Sequence, residues 1–149
     1  MARQWTDHNG HMNLAAYLAL FDRCFARFCD RSGIGPQQMA HTQRTIFVAE
    51  THLVYLHELS RDEQVDVGLR ILELGPRKMR TYLTMLRRDN GEPVAINEKL
   101  DLCVAMDTRR VTTFPPDVMA LLAKIHAREN KLPPPEFAGR RVQMQPQNI

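Results

Sequence analysis

One amphipathic stripe followed by a long stretch of period-two alternation leaves this chain few ways to fold. Leu14, Tyr17, Leu18, Phe21, Cys24, Phe25, Phe28 and Cys29 recur at spacings of three and four, the apolar stripe of an α-helix. Asp22, Arg23, Arg27 and Arg31 fall on the opposite face. Asn13 is placed to cap the start of this helix, and Gly33 to end it in a left-handed turn. At ~1.5 Å per residue, a helix over Leu14–Ser32 is about 28 Å long, enough to cross a sheet.

From Arg44 to Asp107 the period changes to two. Ile46-Phe47-Val48 and Leu53-Val54-Tyr55-Leu56 form one β-rich run; Val65, Val67, Leu69 and Ile71 alternate with Asp66, Gly68 and Arg70. Met79, Thr81, Leu83 and Met85 then alternate with Arg80, Tyr82 and Thr84. In the last run, Val94, Ile96, Leu100, Leu102, Val104 and Met106 share one parity, while Asn97, Lys99, Asp101 and Asp107 share the other. Such alternation gives each strand a buried face and a wetter one. Ser60-Arg61-Asp62, Gly75-Pro76 and Asp89-Asn90-Gly91 supply turn chemistry between the runs. Short turns make consecutive strands antiparallel neighbours, and the one long helix is the only element that can cover their apolar faces. The expectation is a single α+β domain with the sheet curled around the helix. Pro115-Pro116-Asp117 opens a second, shorter helix carrying Val118, Leu121, Leu122 and Ile125. The domain is expected to span residues 1–130, with a loose or partner-bound, Pro-rich polar tail over 131–149.

At 149 residues the chain is large enough for a real core and small for two. A net charge of +3 falls well short of a nucleic-acid-binding signature. No apolar leader or long apolar span is present, so no membrane association and a cytoplasmic location are expected. Cys24, Cys29 and Cys103 lack metal spacing and read as buried thiols.

The chemistry is concentrated just ahead of the long helix, in Trp5-Thr6-Asp7-His8-Asn9-Gly10-His11-Met12-Asn13. A carboxylate, a glycine and two imidazoles sit where unsatisfied N–H groups and the positive end of the helix dipole gather. That arrangement suits a carbonyl that must be polarised while a carboxylate attacks it or activates water. His8 and His11, three residues apart with no third ligand nearby, make a poor metal site. No metal is expected.

The Asp-x-x-Gly-His-x-Asn loop, a helix with Tyr17 and Phe21, and four antiparallel strands resemble the hotdog-fold acyl-CoA thioesterases, in particular their 4-hydroxybenzoyl-CoA thioesterase branch. Asn97-Glu98 through Asp107-Thr108-Arg109-Arg110 and the Phe114-Pro115-Pro116 segment extend the match, which spans roughly residues 5 to 122. The wording Trp-x-Asp-x-Asn-Gly-His-Met-Asn looks closest to the betainyl-CoA thioesterases of carnitine catabolism. Family members carry a longer first strand before this motif, where here only residues 1–4 stand.

The resemblance implies that Asp7 is the catalytic carboxylate, as general base or nucleophile. Gly10 would let the backbone turn into the helix, with His11 and Asn13 at its start. Backbone N–H groups from His11 to Leu14, with Asn13 as an extra donor, would hold the oxyanion. Trp5, with Tyr17 or Phe47, would wall a betaine's trimethylammonium group. Arg109 and Arg110, ahead of Arg77-Lys78-Arg80 and Arg87-Arg88, would meet the phosphates of coenzyme A. Coenzyme A enters as part of the substrate, and no separate cofactor is implied. A second carboxylate could come from Glu50 or Glu98. The pocket is expected to be shared in a homodimer or dimer of dimers. Two rivals stand beside this reading: a hotdog hydratase or dehydratase, whose Asp-x-Asn-Pro…His pattern Gly10 interrupts, and a non-catalytic acyl-CoA-binding domain.

Overall fold

The computed structural model describes residues 5–60, 62–142 and 144. Residues 1–4, where a leading strand would lie, and 145–149 of the expected tail are outside the described residues. Helix α1 covers Leu14–Arg31, α2 Met39–Thr42 and α3 Pro116–Glu129; strands β1 to β4 cover Arg44–Tyr55, Val65–Leu74, Lys78–Arg87 and Pro93–Ala105. The Asn13 side chain caps α1 by accepting from the N–H of Ala16. Gly33 follows its end at φ +77, a conformation that costs glycine little. Gly91, at φ +75, serves the β3–β4 turn in the same way.

All three strand pairs are antiparallel, in the order β1-β4-β3-β2. This corrects the expectation that consecutive strands lie side by side, because β1 pairs with β4 and not with β2. The connection over residues 56–64 is the cause. It is no tight turn: Leu59 is buried in it, and its carbonyl accepts from the N–H of Met12. The segment crosses beneath the loop ahead of α1 and delivers the chain to the far edge of the sheet.

Helix α1 packs on β2 and β4, burying Tyr17, Phe21, Phe25 and Cys29 against Ile71, Met79, Leu83 and Met85. Leu14 and Leu18 drop out of the expected stripe and are exposed, as is Leu121 on α3. On β4 Val94 and Ile96 are buried as expected, but from Asn97 onward the expected faces are reversed. Asn97, Lys99, Asp101 and Cys103 point toward the helix and are buried, while Leu100, Leu102 and Val104 are half-buried on the other side. The polar side chains survive burial by pairing. Lys99 Nζ lies 3.2 Å from Asp101 Oδ1 and 3.1 Å from the centre of the Phe25 ring. The Thr81 hydroxyl donates to Asp101 at 2.6 Å, and that of Thr51 to Asn97 at 2.6 Å.

The two sheet edges differ. At β2, Glu129 of α3 accepts from the N–H of Ile71 at 2.8 Å, and Arg70 donates to the Pro133 carbonyl. Gly139 donates to Glu98 at 2.7 Å, so the stretch after α3 is tied to the sheet at residue 139. The outer edge of β1 pairs with no strand among the described residues. Among the described residues, no helix is long and apolar enough to cross a membrane.

Candidate active site

The loop ahead of α1 closes on itself. Thr6 and Met12 form a bridge, the N–H of Asp7 donates to the His11 carbonyl at 2.8 Å, and Gly10 makes the reversal at φ +82. A side chain at Gly10 would meet nothing within 4 Å, so the glycine is there for its backbone angle and not for space. Asp7 ends up exposed, with one carboxylate oxygen accepting from the N–H groups of Asn9 at 2.8 Å and His11 at 3.0 Å. Desolvation pushes the Asp7 carboxyl up, but those two N–H groups and the imidazoles of His8 and His11 outweigh it, holding it below its usual value. Asp7 is therefore an ionised, oriented carboxylate at neutral pH.

Of the four N–H groups expected to hold an oxyanion, three are already engaged. That of His11 serves Asp7, that of Met12 the Leu59 carbonyl at 2.8 Å, and that of Asn13 the Trp5 carbonyl at 2.9 Å. The closed loop satisfies itself before the helix begins. Among the described residues, the N–H groups of Leu14 and Ala15, the first two of α1, meet no acceptor. They lie at the positive end of the helix, where developing negative charge is favoured.

Asn13 is the helix cap, its side-chain oxygen 3.0 Å from the Ala16 nitrogen. His11 is half-buried, its Nδ1 3.2 Å from the Glu58 carboxylate in ion-pair contact, without hydrogen-bond alignment. The three expected aromatics do not gather. Trp5 has the Arg23 guanidinium over its ring at 4.8 Å, and Phe47 is 59% exposed. Phe47 pairs with Leu102, on the sheet face turned away from α1. Tyr17 instead meets Tyr55, ring centres 5.3 Å apart and nearly perpendicular. Tyr55, His57 and Glu58 join Met12, Leu14 and Tyr17 around a cavity of about 250 Å³. Sequence spacing could not single them out, because the connection after β1 reaches this loop only through the tertiary fold.

Arg109 and Arg110 are exposed just past β4, where Met106 donates to the Gln43 carbonyl at the start of β1. The Asp7 loop adjoins the other end of β1, where the Tyr55 hydroxyl donates to the Leu14 carbonyl at 3.3 Å. Twelve residues of β1 separate the two groups. Glu98 faces away from α1 and is held by Arg80 at 2.6 Å and by Gly139. Glu50 is exposed beside the β1 bulge. Neither carboxylate joins Asp7. Among the described residues, no group of three or more His, Cys, Asp or Glu could hold a metal ion.

Residues 2–122 match the thioesterase-like superfamily. A betainyl-CoA thioesterase of Pseudomonas aeruginosa is 27% identical over 143 residues, covering 96% of this chain and 90% of that one. An L-carnitine dehydrogenase/betainyl-CoA thioesterase of Ruegeria pomeroyi is 30% identical over 91% of this chain, a match spanning 27% of that larger protein. A Staphylococcus aureus protein solved in complex with CoA superposes with a TM-score of 0.91 at 26% identity, covering 97% of this chain and 91% of that one. The antiparallel four-stranded sheet with its long helix is the hotdog thioesterase fold.

Proposed function

Because the chain belongs to the thioesterase-like superfamily, and is accordingly a thioester hydrolase acting on acyl-CoA, we propose that Asp7 carries the reaction and that the acyl group is short, with betainyl-CoA the specific candidate. The observation behind this reading is the placement of an ionised Asp7 carboxylate one loop away from the open N–H groups of Leu14 and Ala15. A thioester carbonyl accepting from these N–H groups has its developing charge stabilised at the helix start. An Asp7 oxygen then takes a proton from the water that attacks the carbonyl carbon, or itself attacks to give a mixed anhydride that water afterwards hydrolyses to the free acid. On either route the C–S bond breaks and the CoA thiolate leaves. The betainyl candidate draws on the Pseudomonas aeruginosa and Ruegeria pomeroyi relatives.

A shared pocket draws support from β1. At ~3.3 Å per residue the strand is about 36 Å long, so Arg109 and Arg110 of one protomer are far from its own Asp7. The unpaired outer edge of β1 invites a second copy, and antiparallel pairing about a two-fold axis brings the partner's Arg109 and the partner's Arg110 toward the Asp7 end. In this reading coenzyme A spans two protomers.

Free-thiol release from a panel of acyl-CoA esters tests the assignment. Wild-type protein releases thiol and Asp7→Asn binds the same esters with turnover nearly abolished. Unchanged turnover in Asp7→Asn removes Asp7 from the mechanism; no thiol release from any ester, with binding intact, favours a binding domain.

A further inference from the structure

Two cavities flank the start of α1. The larger, about 420 Å³, lies between Ala15, Leu18 and Ala19 of the helix and Val48 of β1, with Lys99 among its walls. The smaller, about 250 Å³, is walled by Leu14, Tyr17, Tyr55 and Glu58. Leu14, at the smaller cavity, and Ala15, at the larger, both carry an open N–H, so a carbonyl held there lies between the two mouths and the walls decide which cavity takes the acyl group.

Resting on the thioesterase reading above, we propose that the smaller cavity is the acyl subsite, and that Tyr55 and Glu58 make it selective for a short acyl group bearing a quaternary ammonium. Its polar atoms are largely spoken for. The Tyr17 hydroxyl donates to the His57 carbonyl at 3.2 Å and the Tyr55 hydroxyl to the Leu14 carbonyl at 3.3 Å. What the cavity offers is ring surface and negative potential. The Tyr17 and Tyr55 rings meet edge to face at 84°, and burial pushes both phenols up, which keeps them neutral. Ring faces attract a cation without needing a hydrogen bond from it, and a quaternary ammonium has no N–H to give. Glu58 adds a carboxylate at the rim, though one whose side chain is 76% exposed. The other cavity has no aromatic ring among its walls, and its Asp22 carboxylate and Lys99 ammonium are of opposite sign. At about 250 Å³ the smaller cavity has room for an acyl group of betaine size.

The magnitudes rank the two residues. An aromatic contact with a cation is worth about tenfold in selectivity, whereas an exposed carboxylate contributes about threefold. The test compares kcat/KM for betainyl-CoA with that for tert-butylacetyl-CoA, its neutral isostere. Wild type is expected to favour the cationic ester; Tyr55→Leu to lower the ratio about tenfold; Glu58→Gln to lower it about threefold. Tyr55→Phe keeps the ring without the hydroxyl and holds the ratio, separating cation recognition from loss of the bond to Leu14. A wild type that hydrolyses the isostere as well as or better than betainyl-CoA overturns this subsite while leaving the thioesterase reading intact. So does a Tyr55→Leu protein that loses both activities in proportion. Failure to hydrolyse either ester, or any other acyl-CoA, overturns both readings.

Discussion

Two aspartates, Asp7 and Asp101, occupy opposite extremes of this molecule. Asp7 is exposed, paired with no lysine or arginine among the described residues, and tuned downward by the backbone N–H groups of its own loop. Asp101 is fully buried; burial pushes its carboxyl up, against the pull of Lys99 and the Thr81 hydroxyl. Lys99 is pushed down by the same burial. The lesson concerns what each environment is good for. A carboxylate that must meet water and substrate is kept wet, oriented and ionised. One that ties neighbouring strands together beneath a helix is kept dry and committed to its partners Lys99 and Thr81. Only the first has an oxygen left for chemistry.

The comparison breaks most directly at Asp7. Asp7→Asn keeps the size and one acceptor oxygen, so fold and melting temperature stay close to wild type while turnover falls about a thousandfold. Equal melting and equal turnover would mean that Asp7 has no part in the chemistry. Asp101→Asn should do the reverse. It leaves Lys99 charged and unpaired in the core, which costs about 3–5 kcal/mol of stability by denaturant unfolding, while activity per folded molecule is kept. Adding Lys99→Met should recover most of that loss, since the orphaned charge is the source of the penalty. Failure to recover would show that the pair matters for its geometry and not for its charge.

The loop-held position of Asp7 ahead of the helix was legible in the sequence and the burial of Asp101 was not, for a physical reason. The capping asparagine, the glycine reversal and the helical stripe are local, so Asn13, Gly10 and the extent of α1 could be read from neighbouring residues. Parity on β4 is also local, yet it pointed the wrong way. The alternation marks two faces but cannot say which one the helix covers. Paired charges can occupy the dry face while leucines lie half-covered on the other. Strand order was misjudged because it depends on where Leu59 buries, a contact made across the sequence with Met12. Tyr55 and Glu58 escaped notice for the same reason: each reaches the Asp7 loop only once that connection has folded beneath it.

The loop side of the comparison sharpens at the helix cap. Asn13→Ala removes the acceptor for the Ala16 N–H and should cost about 1 kcal/mol of stability, far less than the Asp101 change. Turnover should also fall, because the cap sets the position of the open Leu14 N–H relative to Asp7. Asn13→Ser, which restores an acceptor at the same place, should recover the stability. If Asn13→Ala lowers stability with turnover untouched, the helix start is not where the carbonyl oxygen is held.

The smallest expected effect concerns proton affinity and tests the difference between the two carboxylates at its root. Asp7 is held below the ordinary aspartate value of about 3.9, with the N–H groups of His11 and Asn9 the main downward influence. A general base works only when ionised, so the acid limb of kcat/KM should have its midpoint below that value. Activity is then flat through the neutral range on its acid side and fades only as pH drops past the lowered value. His8 and His11 act in the same direction when protonated, so His8→Gln should move the midpoint upward slightly, by well under one pH unit given the exposure of the pair. Asp101, pushed the opposite way and out of reach of substrate, should leave no mark on this profile. Isotope-labelled carboxyl signals can follow both groups in one titration, Asp7 protonating below the usual range and Asp101 above it. A wild-type acid limb near pH 5 or higher would assign the base to some other group, and the two aspartates would then differ only in burial.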